Sequence, residues 1–328
     1  MTTESEAAAP AKAPSWRSAT AWVAGVAVSA LILSALAFFV DTGEVADAAS
    51  RAKPAWLAAA FACFGGATLC RWWRVVLLSR AGSPRALMGV SSGHALLNKI
   101  LPLRTGELTF PLLYRRVTGA PLRAGIVLLA TLRVSELACL LPLYAAALAV
   151  YAASLHWVSI VAAAIVGVGL QLALPFALRS VGRLKVFRNA SEEVDAMGTQ
   201  RLLALAAINT LVWICLFGLY FTSLRAFAVD VTPPQAIVGA GGAIVTNLLP
   251  VNGIGSLGTL EAGWTAGLAA TGAAPGPALT AGLAMHAITI LGNVPFLLAG
   301  LGPLLRRPAA TGSAEGMGSD GHGPGERP

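Results

Sequence analysis

The chain has 328 residues, 56% of them hydrophobic and only 12% charged, with a mean hydropathy of +0.72. That composition excludes an ordinary soluble domain and indicates an all-α polytopic membrane protein; a barrel would show short alternating strands, whereas these apolar runs are long and rich in Leu, Ala and Gly. The net charge of +8 is concentrated in a few loops, which points to topology and anionic-lipid contact; without a basic soluble domain, no nucleic acid partner is expected.

Residues 1–17 are polar and Ala/Pro-rich, and are expected to be a disordered cytoplasmic tail. Residues 21–40 are uncharged and long enough to cross about 30 Å of hydrocarbon. Ala46-Asp47-Ala48 imitates a signal-peptidase site, but the run before it is longer than a signal core, so a retained anchor is expected. A span over 55–78 ends in Arg71-Trp72-Trp73-Arg74, followed by Arg80 and Arg85, which reads as a cytoplasmic interface belt. Residues 86–101 and 108–114 are apolar but short, and Arg115, Arg116 and Arg123 follow them. Two short limbs between basic loops predict a hairpin that enters and leaves on the cytoplasmic side.

A long span over 124–152 carries Arg133 and Glu136, turns near Ser154–Trp157 and returns through 158–178. The loop 179–201 is basic and therefore cytoplasmic. A span over 202–224 leads outward to Asp230 and Pro233-Pro234; limbs over 235–250 and up to 272 form a second hairpin, entered from outside. The turn 271–277 leads into a last span, 278–305, and a polar tail, 308–328, expected to be disordered. The prediction is a membrane domain over 18–307 with both termini cytoplasmic, about six full transmembrane helices and two re-entrant broken-helix hairpins, about eight membrane segments in all. Span, hairpin, span recurs over 55–152 and 202–305 in opposite orientation, an inverted repeat.

The tips of the two hairpins are polar. One is Asn98-Lys99-Ile100-Leu101-Pro102-Leu103-Arg104-Thr105-Gly106-Glu107; the other runs from Asn247 through Pro250, Asn252, Gly253, Gly255 and Gly258 to Glu261. Lipid tolerates irregular backbone only where it faces protein or a wet cavity, so the tips predict a buried site. Arg104, Glu107, Arg133, Glu136, Glu261 and His286 are the ionisable groups at or near membrane depth. Such groups must pair, face water or bind something. Arg133 and Glu136 share a helix face at i, i+3; Arg104 and Glu107 have the same spacing across a break. His286 or Arg133 could reach Glu261, while Lys99 is expected to snorkel. Arg104 and Glu107 also have a bland reading as loop charges, Arg133 and Glu136 as a structural pair and His286 as a satisfied bundle histidine; Glu261 is hardest to dismiss, because no other formal charge lies between Asp230 and Arg306.

Residues 253–258 spell G-x-G-x-x-G, but no βαβ unit surrounds them and an acidic residue follows almost at once. These glycines instead permit close backbone approach, and Ser256 or Asn252 can cap the following helix, whose free N–H groups suit an anion. Thr105-Gly106 can do the same in the first tip. Cys63, Cys70, Cys139 and Cys215 lie in apolar runs without metal spacing and are expected to be buried, inert thiols; no cofactor, metal site or catalytic motif is expected.

At the two tips the chain resembles the lysylphosphatidylglycerol synthase transmembrane-region family, a flippase-like membrane domain. The residues that carry the resemblance are Asn98, Pro102, Arg104, Gly106, Glu107, Arg133 and Glu136, then Pro250, Gly253, Gly255 and Glu261, within a similarity over about 20–305. The resemblance implies a lipid-translocating domain of the bacterial inner membrane. In two-domain members a soluble aminoacyl-transferase domain follows; none is expected here, so synthase activity is not carried over. His286 stands where an arginine is expected in many relatives. The family includes members linked to glycolipid or hopanoid pathways, which leaves the lipid open. The resulting expectation is a non-enzymatic flippase-like protein. Its site would comprise Asn98, Arg104, Gly106, Glu107, Arg133, Glu136, Gly253, Gly255, Glu261 and His286, with the arginines on a phosphate or sugar and the carboxylates balancing charge, holding amines or relaying protons. Its partners would be membrane lipids with an anionic head group, and another copy or a pathway enzyme. The alternatives are a membrane-embedded lipid or polyprenyl-phosphate transferase, and a non-catalytic accessory subunit.

Overall fold

The computed structural model describes residues 41–79, 81–153, 156–173, 198–248 and 256–305, together with positions 30, 31, 34 and 176. Asp41 caps α1 (Thr42–Ser50) by accepting the Gly43 N–H at 2.7 Å. Pro54 starts α2 (Pro54–Leu78), and Pro84 starts α3 (Pro84–Ile100) behind the Ser83 cap. Proline fits there because a first-turn N–H has no helical partner to lose. Pro102 opens a 3-10 segment (Pro102–Leu108) that leads into α4 (Thr109–Thr118). Beyond α4 come α5 (Leu122–Ala153), α6 (His156–Leu172), α7 (Gly198–Ala226), α8 (Pro233–Leu248), α9 (Thr259–Ala270), α10 (Pro275–Leu291) and α11 (Val294–Leu305). Among the described residues there is no strand.

Four stretches are long and apolar enough to cross a bilayer: α2, α5, α7 and the α10–α11 stretch, Pro275–Leu305. The protein is a polytopic membrane protein. Of the other two expected spans, 21–40 is described only at 30, 31 and 34, and α6 has 17 residues, about 25 Å of helix. The expected tails lie outside the described residues. The last span differs from the single helix expected: it breaks between α10 and α11 at Gly292-Asn293. Pro295 has no N–H to continue the ladder, and Asn293 Nδ2 donates back to the Thr289 carbonyl at 2.7 Å.

Both hairpins form, each from two antiparallel limbs. In the first, Gly93 meets Leu113, His94 meets Phe110 and Asn98 meets Gly106. In the second, Gly239 meets Leu268 and Gly242 meets Gly263. The limbs α3, α4, α8 and α9 have 17, 10, 16 and 12 residues. At about 1.5 Å per residue, each is shorter than the hydrocarbon core, as a re-entrant hairpin requires. The second hairpin is the tighter: a Cβ on Gly242 would lie 2.0 Å from the Gly263 carbonyl oxygen, and one on Gly267 2.1 Å from that of Gly239. Small residues let backbones touch in this way where no hydrophobic drive separates helix from lipid.

The contacts between α2 and α7 show the inversion. Trp56 meets Phe221, Cys63 meets Gly218, Gly66 meets Cys215 and Arg74 meets Asn209, so one helix rises as the other falls. Both spans carry Cys-x-x-Gly, and each cysteine sits over the other's glycine. The spans that open the two repeats are therefore antiparallel. Equivalent packing recurs: α4 lies on α5 as α9 lies on α10, and α3 on α2 as α8 on α7. The cysteines are free, but only Cys139 is buried; Cys63, Cys70 and Cys215 are half-buried.

Two apolar clusters fill the interior. One gathers Phe64, Ala67, Cys139, Val212 and Trp264; the other gathers Val75, Phe110, Leu132 and Leu205. On α2, α5 and α7 the change from one cluster to the other falls at Arg71/Arg74, Glu136 and Asn209 respectively. A polar seam thus crosses the bundle between two dry compartments.

Candidate functional site

The 3-10 turn after Pro102 carries Glu107 back over α3, and Gly106 makes this possible: a Cβ there would lie 2.3 Å from the Asn98 Cα. Glu107 Oε1 accepts from Arg133 Nη2 at 2.6 Å and from Asn98 Nδ2 at 3.3 Å. His94 Nε2 faces Glu107 Oε2 at 3.8 Å, and His94 Nδ1 lies 3.1 Å from Thr109 Oγ1. The Thr109 hydroxyl donates to the Gly106 carbonyl at 2.6 Å. Its proton is thereby committed, so His94 Nδ1 is the donor and Nε2 is left towards the carboxylate.

Arg133 continues the chain of charges. Its Nη1 is 3.6 Å from Glu136 Oε2, which also accepts from Arg74 Nη2 at 2.9 Å; Glu136 Oε1 accepts from Arg71 Nη2 at 3.4 Å. Arg74 Nη1 donates to Asn209 Oδ1 at 2.8 Å, Asn209 bonds Ser135, and Gln171 Nε2 reaches Ser135 Oγ at 2.7 Å. Three guanidiniums thus meet two carboxylates, an excess of one positive charge. Arg74 and Glu136 are closed off at 7% and 9% side-chain exposure, whereas Arg71 and Arg133 keep 30% and 43%. Arg71 lies about 10 Å inside the end of α2 and Arg133 about 16 Å inside α5, depths at which a bare charge is costly.

The second tip is organised differently. Glu261 turns back on its own helix start, where Oε2 accepts the Gly258 N–H at 2.7 Å. Glu261 Oε1 meets His286 Nδ1 at 2.6 Å, with side-chain exposures of 0% and 2%. His286 Nε2 is buried and has no hydrogen-bond partner among the described residues. The helix cap therefore comes from Glu261 itself, with Gly258 at φ 84° in the cap position, where Ser256 or Asn252 was expected. The carboxylate occupies one of the donors that an anion would have used.

Residues 22–297 match the family described as Lysylphosphatidylglycerol synthase TM region. The chain belongs to that family. No curated protein matches it.

The family match contains both hairpins and every residue of the polar seam. Of the residues expected at the site, Asn98, Gly106, Glu107, Arg133 and Glu136 come together in one network, and Glu261 and His286 in a second. Gly253 and Gly255 lie outside the described residues, as does the side chain of Arg104. The expected Arg133–Glu136 pair exists, but it is the longest of the arginine–carboxylate contacts in the network; the main partner of Glu136 is Arg74, and that of Arg133 is Glu107. Arg74 also corrects the interface-belt reading: it is 5% exposed and inside the bundle, while neighbouring Trp73 is exposed. Lys99 is half-buried near the end of α3, where its charge feels those of Arg71 and Glu261. Sequence reasoning missed Arg71, Arg74, His94, Ser135, Gln171 and Asn209. Asn209 and Gln171 did carry a signal, as isolated amides inside apolar runs. Among the described residues, no three of His, Cys, Asp and Glu come together as a metal site would require.

Proposed function

We propose that this member of the lysylphosphatidylglycerol synthase transmembrane-region family is a flippase-like protein of the bacterial inner membrane. It binds and translocates a phospholipid or glycolipid with an anionic head group, and both termini are cytoplasmic. The observation that carries this reading is the surplus positive charge at hydrocarbon depth, with Arg71 and Arg133 partly open and both carboxylates already shared. Only an anion completes such a set, and a planar guanidinium pair suits a phosphate. Glu107 lies beside Arg133 and would hold an amine, where the head group carries one, or balance charge as the phosphate moves. The orientation rests on the basic loops at Arg80–Arg85, Arg115–Arg123 and 179–201. The role is movement of a lipid, without a covalent step.

The test is fluorescent phosphatidylglycerol in proteoliposomes, with dithionite quenching of the outer leaflet. The intact protein should accelerate exchange between leaflets, and Arg71→Ala with Arg133→Ala should abolish it. Undiminished exchange in that double variant would end the assignment. New covalent product from a labelled lipid donor would show a transferase instead.

A further inference from the structure

The Glu261–His286 pair has no part in holding the anion. Oε2 faces an N–H that can only donate, and Oε1 lies 2.6 Å from Nδ1, so the proton between them sits on Nδ1 when the carboxylate is ionised. Nε2 is then bare, buried and without a hydrogen-bond partner among the described residues, and the pair carries one negative charge. Adding a proton at Nε2 gives an imidazolium against a carboxylate, with no net charge. Two states that differ by one proton are therefore built around the same hydrogen bonds.

Few other charges reach the pair. From α3, the charge of Lys99 feels those of both Glu261 and Arg71. From α7, Tyr220 approaches through the ring of Trp264, centroids 5.6 Å apart. The limb α8 and the helix α11 carry no titratable group, and α10 carries none besides His286. Glu44 of α1 meets α10 at Gly276, roughly 15 Å along the helix from His286. Lys99 is thus the link between the pair and the anion seam. While the pair is negative, Lys99 is balanced by Glu261. Once the pair is neutral, that positive charge is uncompensated and adds to the field of Arg71.

From this arrangement we infer that Glu261 and His286 form a proton-binding site whose loading strengthens the hold on an anionic head group, so that one proton travels with one lipid anion. The inference rests on the proposed function for its lipid half; proton binding stands by itself. Burial of the pair suits the role, since a permanently wet pair would exchange protons with either side and dissipate the gradient. An anion and a proton moving together also carry no net charge across the bilayer, which spares the cost of moving a lone charge.

Nitrogen-15 histidine spectra of the intact protein in nanodiscs would test it, with His286 assigned by the signal lost in His286→Asn. Over a scan window from about pH 9 down to about pH 4, the Nε2 signal of His286 should move from the bare towards the protonated form. Soluble dihexanoyl phosphatidylglycerol should move the midpoint upwards, equivalent to about tenfold tighter lipid binding in the protonated state. A His286 signal that does not change across the window overturns the proton site. A titration unmoved by lipid that demonstrably binds overturns the coupling. If the lipid does not bind, the anion reading fails, and the titration alone still decides the proton site. All these measurements use the intact chain, so a Glu261→Gln variant that fails to fold leaves them unaffected.

Discussion

In the first hairpin Glu107 lies against Arg133, with 33% and 43% of the side chains exposed; in the second, Glu261 lies against His286, with 0% and 2%. The positions correspond. Each carboxylate stands where the second limb begins, and each partner lies on the span that follows. The first pair uses a cation that keeps its charge at any ordinary pH and is tied onward through Glu136 to α2 and α7. The second uses a side chain whose ring can take up or release a proton, and among the described residues its hydrogen bonds end at Glu261 and the backbone. The two repeats thus present one geometry twice, and the side chains divide it into an open, permanently charged tip and a closed one built on a histidine.

The largest effect should come from cutting the onward connection that only the first tip possesses. Glu136→Ala strands Arg74 at 7% exposure with Asn209 as its remaining polar partner among the described residues. A loss of about 3–5 kcal/mol is expected, read as thermal unfolding in detergent. Next is the packing contrast. Gly263→Val drives a branched side chain into the Gly242 carbonyl, 2.5 Å from where a Cβ would sit, and should cost about 1–3 kcal/mol. Gly93→Val, the corresponding intrusion in the first hairpin, meets the flexible ends of Leu113, Leu297 and Leu304, 3.3, 3.6 and 3.9 Å from where a Cβ would sit, and should cost less. Equal costs would show that the two hairpins are not packed differently.

Exchanging the bases tests the comparison most directly. Arg133→His puts a titratable group in the open tip, so lipid exchange should persist at low pH and fall by about tenfold as the imidazole loses its proton, a difference of about 1.4 kcal/mol. His286→Arg should remove pH dependence from the closed tip. A flat pH profile in Arg133→His would mean that charge at that position is not what matters. The smallest effect is expected for Glu107→Gln. Its partner is more than a third exposed, so screening leaves no more than about 1 kcal/mol of stability at stake. Exchange rates, read in the same proteoliposomes, should change more than the unfolding temperature does.

Much of the architecture was legible in the sequence because it rests on local quantities. Hydropathy over a window marks α2, α5 and α7, and limb length against bilayer thickness marks α3, α4, α8 and α9 as too short to cross. The alternation of basic and neutral loops marks the repeats as opposed. Glu107 and Glu261 were legible as well, since a formal charge among apolar residues needs an explanation. The break at Gly292-Asn293 was missed because the apolar run continues through it, and hydropathy does not register a missing N–H at Pro295.

Which charge meets which was decided by tertiary structure alone. Arg74 reaches Glu136 across 62 positions and Asn209 across 135, while the local Arg133–Glu136 spacing suggested a nearer partner. The i, i+3 rule identifies neighbours on one helix surface, but a buried carboxylate takes whichever cation the packing brings within about 3 Å. The antiparallel crossing of α2 and α7 delivers Arg74 to Glu136, and the closure of the second hairpin onto α10 delivers His286 to Glu261. The sequence by itself determined that charges lie within the membrane and in two similar places; the fold decided that one place is open and cationic and the other sealed and titratable, because exposure and partnership depend on helices far apart in the chain.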